Sequence, residues 1–397
     1  MAITDKEKGV WSLDQVYNKI NQGSIWTYSN VAQLWSWGYD REGGMGRSVP
    51  AVNYSSPIQV GGDKKYAFGT RDPWMGMGVQ DGALWIWGTG DYGVLAQNNT
   101  TAHLSPIQVG SDTTWSKVAQ GIYQYPFAYG IKTDGTLWSW GNDSFGVLGH
   151  NNRNVHRSSP TQIPGTTWGY ISAGYGPIAT KTDGTLWVWA ANYGGVLGQN
   201  QAYPGLKATS SPTQIPGTTW SSGARKSVRG GGSSGSVAAI KTDGTLWTWG
   251  LNTNGQLAQN NRTEYSSPIQ IPGTSWDKVS MSGYSTVAVK TDGTLWVWGE
   301  NLTGQLGLNQ PTNTHYSSPV QIPGTTWNDV FVSSRHMMAT KSDGTMYAWG
   351  RNSTGQLGQN NVTYYSSPVQ IPGTKWSSEN VNYNSNRDSS ISVFNFI

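Results

Sequence analysis

The sequence has no cysteine and few charged residues. Among its 397 residues there is no Cys, which excludes a disulfide framework and thiol chemistry. Charged side chains make up 12% of the chain, and the net charge of +4 is spread without a Lys/Arg run, which argues against nucleic-acid binding. No apolar run approaches the ~18 residues of a membrane span, and the polar stretch from Met1 to Lys8 has no signal-peptide core. The sequence therefore predicts neither a membrane span nor a signal peptide.

Residues that commonly carry chemistry are also scarce. Only His150 and His156 share a loop, and their spacing is too wide for a zinc pattern. No Ser-His-Asp order and no recurring pair of carboxylates stands out. The sequence therefore predicts a protein that is not an enzyme, with no catalytic residue, no cofactor and no metal. The five histidines are scattered along the chain: His103, His150, His156, His315 and His336.

Glycine, proline and tryptophan are abundant, and tryptophan recurs at a regular interval. The 52 Gly, 18 Pro and 22 Trp are typical of short strands joined by tight turns. A Leu-Trp-x-Trp-Gly segment or close variant occurs seven times, with spacings of 50, 53, 49, 60, 49 and 51 residues. Such a period predicts one array of units that bury their apolar faces against each other. The second aromatics of the seven segments are Trp37, Trp87, Trp140, Trp189, Trp249, Trp298 and Trp349.

The sixth repeat shows the layout of one unit. A strand-like run from Ser285 to Lys290 and the tryptophan strand from Leu295 to Gly299 flank Asp292-Gly293, which predicts a hairpin with a type I′ turn. Apolar residues face both sides of the tryptophan strand, so a neighbouring sheet must cover each side. The Gly-rich segments that follow lack the Lys-Ser/Thr pair of a phosphate-binding loop and are interpreted as structural turns. The Ser-Pro segments that come next predict an outer edge strand.

These landmarks resemble the repeat of the regulator of chromosome condensation family. The shared order is Asp-Gly, an aromatic-x-Trp-Gly strand, Asn, Gly-Gln-Leu-Gly and Pro, and it covers roughly residues 25–397. The resemblance implies an all-β fold, a seven-bladed β-propeller over 25–397, with residues 1–24 as a separate arm. It is less specific for function, because propellers of this kind also serve as lectins, enzyme inhibitors and scaffolds.

The two ends of the chain contain complementary parts of one repeat. The first tryptophan strand, Leu34 to Gly38, lacks the preceding hairpin, whereas the strand-like run at Ile391 to Phe396 comes after the last complete repeat. We expect these two strands to pair, so that they form one composite blade and close the ring.

Residues 1–24 contain the one clear helix signal of the sequence. Ser12-Leu13-Asp14-Gln15 has the form of a capping box, and Gly23 ends the helix. The short helix either packs under its own propeller or anchors the chain to another protein. The segment from Gly9 to Leu13 also resembles leaders of bacteriophage tail and virion proteins. In the anchor interpretation the partner-binding residues of the arm are Trp11, Leu13, Val16, Tyr17 and Ile20.

Departures from the repeat mark candidate binding loops. The interval from Trp189 to Trp249 contains two insertions, Gln201 to Thr209 and Ser221 to Gly235. The second insertion is either a solvated loop or a positively charged loop that binds an acidic partner. Two aromatic irregularities are either local core or surfaces that stack on a sugar or peptide. The candidate loop residues are Trp74, Tyr123, Tyr125, Arg225, Lys226 and Arg229.

Three functions follow as hypotheses. The first is a non-enzymatic structural protein of a virion, assembled in the host cytoplasm, in which the arm binds other virion proteins and the propeller faces a host-surface glycan or receptor. The second is a lectin-type module with shallow, aromatic-lined pockets between blades. The third is guanine-nucleotide exchange, which the founding member of the resembled family performs, although the chain has no evident interaction wedge or basic tail.

Overall fold

The computed structural model describes most of the chain from residue 32 onward, as one compact unit that spans Ala32–Ile397. The predicted helix and its residues Trp11, Leu13, Val16, Tyr17 and Ile20 lie outside the described residues, so the arm, its resemblance to phage leaders and the boundary at residue 24 stay predictions. The described residues are 32–40, 43–46, 52–60, 65–66, 68–71, 74–121, 125–174, 176–201, 205, 207–223, 226–229, 235–282, 284–310, 312–333, 335–374, 376–377, 381–383 and 392–395.

Thirty strands and three short 3₁₀ turns make up the regular structure of these residues, which confirms the all-β prediction. The 3₁₀ turns are Asp91–Gly93, Ser144–Gly146 and Tyr193–Gly195. The strands are β1 (Ala32–Gly38), β2 (Tyr54–Gln59), β3 (Lys65–Tyr66), β4 (Phe68–Arg71), β5 (Met75–Gln80), β6 (Ala83–Gly88), β7 (His103–Gln108), β8 (Trp115–Gln120), β9 (Phe127–Lys132), β10 (Leu137–Gly141), β11 (Arg157–Ile163), β12 (Trp168–Ala173), β13 (Pro177–Lys181), β14 (Leu186–Ala191), β15 (Ala208–Ile215), β16 (Ser227–Arg229), β17 (Ser236–Ile240), β18 (Leu246–Gly250), β19 (Tyr265–Gln270), β20 (Trp276–Ser282), β21 (Ser285–Lys290), β22 (Leu295–Gly299), β23 (Tyr316–Ile322), β24 (Trp327–Val332), β25 (His336–Lys341), β26 (Met346–Gly350), β27 (Tyr365–Ile371), β28 (Trp376–Ser377), β29 (Val381–Tyr383) and β30 (Ser392–Asn395).

The strands form seven sheets, one for each tryptophan repeat. We number the resulting blades 1 to 7 by chain order of their tryptophan strands. Blades 3 to 7 are four-stranded and contain β8–β11, β12–β15, β16–β19, β20–β23 and β24–β27. Blade 1 contains β1, β2, β3, β28 and β30, and blade 2 contains β4–β7 and β29. The strand that carries the Ser-Pro segment is at one edge of each sheet, as predicted.

Hydrogen bonds from seven buried indoles link the blades in a circle. Each second aromatic of the repeat is fully buried, and its Nε1–H donates to a backbone carbonyl in the loop of the preceding blade. In blade 1, Trp37 donates to the carbonyl of Gln356 in blade 7 at 3.0 Å, so the last blade contacts the first. The other six bonds are Trp87 to Gly44, Trp140 to Val94, Trp189 to Val147, Trp249 to Val196, Trp298 to Gln256 and Trp349 to Gln305.

The Asp-Gly hairpins are of two kinds, and the predicted type I′ turn is wrong for five of six. In blade 2 both Asp81 and Gly82 have positive φ, 51° and 76°, as a type I′ turn requires. In blades 3 to 7 only the Gly has positive φ. One extra residue before Asp, Thr in blades 3 to 6 and Ser342 in blade 7, makes a three-residue loop, in which a type I turn is followed by a left-handed Gly.

Strands from both ends of the chain meet in blade 1. β30 pairs antiparallel with β1, with Leu34 opposite Phe394 and Trp35 opposite Val393, and β28 pairs with the other edge of β30. β29, which the sequence did not predict, pairs in parallel with β4 of blade 2. The carboxyl-terminal segment therefore contributes strands to two adjacent blades.

No helix among the described residues is long and apolar enough to cross a bilayer.

Candidate functional site

In blades 3 to 7 the loop that follows the tryptophan strand is held by one side chain. In blade 4, Oδ1 of Asn192 accepts the backbone N–H of Leu197 at 2.9 Å, and in blade 3 Asp143 does the same for Leu148 at 3.1 Å. Burial raises the pKa of Asp143, opposed by its backbone hydrogen bonds. The cap fixes both ends of each loop and therefore the position of its tip. The same contact recurs in blades 5, 6 and 7 from Asn252, Asn301 and Asn352.

The tips of these loops fall into two classes. In blades 5 to 7 a buried Gln closes the tip, because its Oε1 accepts the backbone N–H of the residue two positions earlier. In blade 7, for example, the N–H of Thr354 donates to Oε1 of Gln356 at 2.8 Å. In blades 2 to 4 a valine, such as Val94, occupies that position, and its side chain has no acceptor. These tips instead form the three 3₁₀ turns with a left-handed residue, Tyr92 at φ 57° and Phe145 at φ 63°.

A bulky residue at positive φ is uncommon, and such backbone strain clusters at functional sites. In blade 4 the left-handed position is taken by Gly194, and the aromatic residue, Tyr193, comes one position earlier. Three consecutive blades therefore present an aromatic side chain at the same loop, whereas blades 5 to 7 present none there.

These aromatic side chains form two contacting groups on neighbouring loops, which together we call the aromatic strip: Tyr92, Tyr125 and His156 in one group, and Phe145 and Tyr193 in the other. Tyr92 packs against the His156 ring at 4.8 Å and lies 6.3 Å from Tyr125 between ring centroids. Phe145 lies 6.3 Å from Tyr193 in an edge-to-face arrangement. Tyr125, Phe145 and Tyr193 are 44%, 41% and 37% exposed, so a large apolar area faces solvent.

His156 connects the two halves of the aromatic strip. Its Nδ1 accepts the backbone N–H of Asp143 at 3.0 Å, which ties the histidine to the loop that carries Phe145. His150, in the same blade, is half-buried, and desolvation, together with the charge of Arg157, lowers its pKa to about 4. His150 is therefore neutral at physiological pH.

The residues predicted from the sequence do not gather at one place. Tyr125 belongs to the aromatic strip, and Trp74 is partly buried at the start of blade 2. Lys226 bonds both Oδ1 and the backbone carbonyl of Asp277 in blade 6, at 2.5 and 2.6 Å, which gives it a structural contact. Arg229 is in β16 opposite Val237, and Tyr123 and Arg225 lie outside the described residues. The role in binding that the sequence predicted for these six loop residues stays a prediction.

Sequence reasoning missed four of the five residues of the aromatic strip. A signal was present, since Asp-Tyr-Gly-Val-Leu, Ser-Phe-Gly-Val-Leu and Tyr-Gly-Gly-Val-Leu occur in three consecutive repeats, whereas the later repeats read Gly-Gln-Leu. His156 had no such signal, because its contact with Tyr92 crosses between blades.

The described residues offer no site for metal chemistry, since no group of three or more His, Cys, Asp or Glu side chains among them could hold an ion. The repeated Asp of each hairpin is committed to the turn. In blade 5, Oδ1 of Asp243 accepts both the N–H and the Oγ1–H of Thr245, which lowers the pKa of Asp243. The arrangement suits binding, through exposed aromatic side chains on rigid loops.

Seven linked four- and five-stranded blades define the protein as a seven-bladed β-propeller. The model of the RCC1-like domain matches residues 77–385, and the chain belongs to this family.

Solved structures of similar fold cover most of the chain. Human WBSCR16 is 18% identical with a TM-score of 0.74, over 92% of this chain and all of that one. Prp20p from Saccharomyces cerevisiae, studied for its binding to Gsp1p and histones, is 15% identical with a TM-score of 0.76, over 92% of each chain. Yeast RCC1 (Prp20) bound to Kap60 is 14% identical with a TM-score of 0.74, over 92% of this chain and 90% of that one. Identities this low establish a common fold.

Proposed function

We propose that this chain is a non-catalytic, protein-binding propeller and that the aromatic strip is its docking surface. The observation that carries the proposal is the set of aromatic side chains on the neighbouring blades 2 to 4, of which Tyr125, Phe145 and Tyr193 are exposed, whereas the corresponding loop tips of blades 5 to 7 are polar. Tyr and other aromatics are enriched at interfaces and dominate their binding energy. Tyr92 and Phe145 hold a left-handed backbone at these tips, which the corresponding residues of the Gln-closed tips of blades 5 to 7 do not adopt.

Membership in the RCC1-like family supports a protein as the partner. Prp20p has been studied for binding to Gsp1p and histones, and a complex with Kap60 is known. Guanine-nucleotide exchange, the third hypothesis from the sequence, is the second candidate, and the family favours it. The release rate of a fluorescent guanine nucleotide from a panel of small GTPases tests it, and a rate unchanged by this chain across the panel would exclude exchange on those GTPases.

The virion role remains a proposal that concerns where the propeller acts. In that role residues 1–24 bind other virion proteins and the propeller is displayed. Mass spectrometry of purified particles from the source of the sequence tests it, because a structural component must be present in stoichiometric amounts, and its absence would contradict the role.

The docking surface is tested with paired double variants. Phe145→Ser with Tyr193→Ser removes two exposed rings from the aromatic strip. Val362→Ser with Tyr364→Ser removes two exposed side chains elsewhere, 60% and 47% exposed, and is the matched control. We expect the first pair to lower capture of a partner from the native host extract at least tenfold, with an unchanged melting temperature, and the control pair to retain capture. Equal capture by both pairs would place the interface elsewhere.

A further inference from the structure

A cleft of about 390 Å³ opens on blade 5, beside the loop of blade 4, within the range of roughly 300 to 1,000 Å³ typical of small-molecule sites. Its wall includes Trp220, Lys241 and Trp247 of blade 5, together with Gln199 and Asn200 of blade 4. None of these residues belongs to the aromatic strip, so the cleft is a separate site and goes beyond the proposed function.

The aromatic wall carries a positive charge that no carboxylate of the described residues contacts directly. Trp220 and Trp247 meet edge to face at 6.4 Å, and Nζ of Lys241 lies 5.0 and 4.3 Å from their ring centroids. Within the described residues no acidic group forms an ion pair with Lys241. Asp243 interacts with Lys241 electrostatically but forms no ion pair with it, and its Oδ1 accepts two hydrogen bonds from Thr245.

The polar wall of the cleft offers both a donor and an acceptor. Nε2 of Gln199 donates to the carbonyls of Leu197 and Gln214, at 3.1 and 3.0 Å, which fixes the amide and leaves Oε1 as an acceptor. Oδ1 of Asn200 accepts the hydroxyl of Ser267 at 3.4 Å, which leaves Nδ2 as a donor. An ammonium group, an amide donor and an amide acceptor therefore surround one half-buried indole.

The same set of side chains recurs in one other blade without a neutralising carboxylate. In blade 6, Lys290 lies 4.8 and 4.7 Å from the rings of Trp276 and Trp296. Gln259 and Asn260 supply the amides, and Ser318 of blade 6 donates to Asn260 at 3.2 Å, which places this loop beside blade 6. At the corresponding positions of blades 4 and 7 the glutamine is replaced by His150 and Leu308.

Blade 3 has the full set, but its lysine is paired. Lys132 lies 4.9 and 4.0 Å from the rings of Trp115 and Trp138, and its Nζ contacts Oδ2 of Asp112 at 2.7 Å. The hydrogen bond from Lys132 lowers the pKa of Asp112 to about 2. Blade 3 therefore serves as an internal control, because it has the same aromatic pair and lysine, but its lysine is already paired with a carboxylate.

We propose that the cleft of blade 5 binds an acidic sugar residue, and that the matching set of side chains in blade 6 binds a second one. The apolar C–H face of the sugar ring packs on the indole, its carboxylate or sulfate pairs with the lysine, and its hydroxyl groups bond the two amides. A purely structural role for the lysine, as a cation–π cap of the hairpin, accounts for the ring contact, but does not require the fixed amides opposite. Two such sites on one rigid propeller favour a ligand with repeated acidic sugars, bound by avidity.

The test follows individual indole N–H resonances in the full chain labelled with ¹⁵N-tryptophan, with Trp→Phe variants for assignment. Trigalacturonate is the acidic probe and maltotriose the neutral one. We expect trigalacturonate to shift the resonances of Trp247 and Trp296 and leave Trp138 unchanged, and maltotriose to bind at least tenfold more weakly.

Two variants make the result specific to the lysine. Lys241→Met keeps the apolar stem and removes the charge, so the Trp247 shift should be lost while the Trp296 shift remains within the same molecule. If Lys241→Met fails to fold, Lys290→Met gives the mirrored comparison.

Asp112→Asn frees Lys132, so Trp138 should then respond to trigalacturonate, a gain of binding that misfolding cannot imitate. Equal shifts with maltotriose, a Trp247 shift that survives Lys241→Met, or no gain in Asp112→Asn would each overturn the proposal.

Discussion

At the scale of single residues, the repeated tryptophans have two distinct tasks. The second aromatic of each repeat is buried and donates to the preceding blade, whereas the first, such as Trp187, donates to the hydroxyl of its own hairpin Thr at 2.8 Å and stays half-buried. Because strand residues alternate between faces, two tryptophans two positions apart, such as Trp187 and Trp189, should share a face. A β-bulge between Val188 and Ala190 interrupts the regular pairing of β14 with β15, and it changes the strand register next to the second tryptophan.

His336 gives a residue-scale prediction for the dependence of stability on pH. It is fully buried at the start of β25, and neither ring nitrogen has a hydrogen-bond partner in the described part of the chain. Burial, together with the charge of Arg351, lowers its pKa from 6.5 to about 3. The unfolded chain therefore binds a proton on this residue between pH 6.5 and 3 that the folded protein does not, and the free energy of unfolding falls as the pH falls through that window.

We expect the His336 contribution to cost about 2 kcal/mol between pH 8 and pH 5. His336→Leu removes the titrating group and should flatten that part of the curve. Urea unfolding of both proteins across this range measures the difference. Parallel curves for the two proteins would show that His336 is not the group responsible.

At the scale of elements, the Asp-Gly-Thr hairpin joins two strands through a relay of side chains. In blade 5, the hydroxyl of Thr245 donates to Oδ1 of Asp243 at 2.6 Å and accepts the Nε1–H of Trp247 at 2.9 Å. One threonine therefore connects the turn to the tryptophan strand. The Asp and Thr of the repeat are explained by this contact together with the left-handed Gly244.

Thr245→Val tests the relay, with Thr245→Ser as the matched control. Valine keeps the shape but leaves the partly buried indole N–H of Trp247 without its acceptor, which costs about 1 to 3 kcal/mol. Serine retains the hydroxyl, so its loss should be below about 1 kcal/mol. Chemical denaturation measures both, and equal losses for the two variants would refute the relay.

At the scale of the whole molecule, hydrogen bonds link each of the seven blades to the next in a circle. The bond from Trp37 to Gln356 and the backbone bond from Asn360 to Ser55, at 2.8 Å, join blade 7 to blade 1. Blade 1 also takes β28 and β30 from the opposite end of the chain. That this pairing closes the ring stays a prediction, and its physical reason is that without β30 the edge of β1 from Gln33 to Ser36 would have no partner strand.

Truncation after Arg387 tests this inference, with truncation after Asn395 as the control that retains β30. The shorter chain loses the strand opposite Leu34 and Trp35, and in a cooperative ring the loss should lower the melting temperature of all blades by more than roughly 10 °C. The control should melt close to the full chain. A shorter chain that melts like the control would show that closure does not depend on β30.

Much of the fold was predictable because it is written in local, repeated patterns. The period of the tryptophans gave the number of blades, and the prolines of the Ser-Pro segments marked the edge strands. The hairpin type was predicted wrongly in five blades, because one inserted Thr or Ser before Asp134 and its equivalents changes a two-residue loop into a three-residue one. β29 was missed because Val381–Tyr383 pairs with a distant blade and has no repeat counterpart.

The candidate sites were less predictable than the fold. Tyr125 was identified as an aromatic irregularity, but its neighbours Tyr92 and His156 come from loops that only the ring brings together. Lys226 looked like a free cation in an insertion, yet its Nζ contacts Asp277, 51 positions along the chain.

The sequence by itself determined the β strands, their grouping in seven units and the absence of cysteine chemistry, because periodicity and turn residues act over a few neighbouring positions. Only the tertiary structure decided which side chains face each other between blades. Those contacts join residues about 50 positions apart, such as Trp140 and Val94, and they depend on how each sheet stacks against the next. The aromatic strip and the cleft of blade 5 both lie at these inter-blade contacts. The local sequence pattern of one blade carries no information about which side chains of the next blade it will contact.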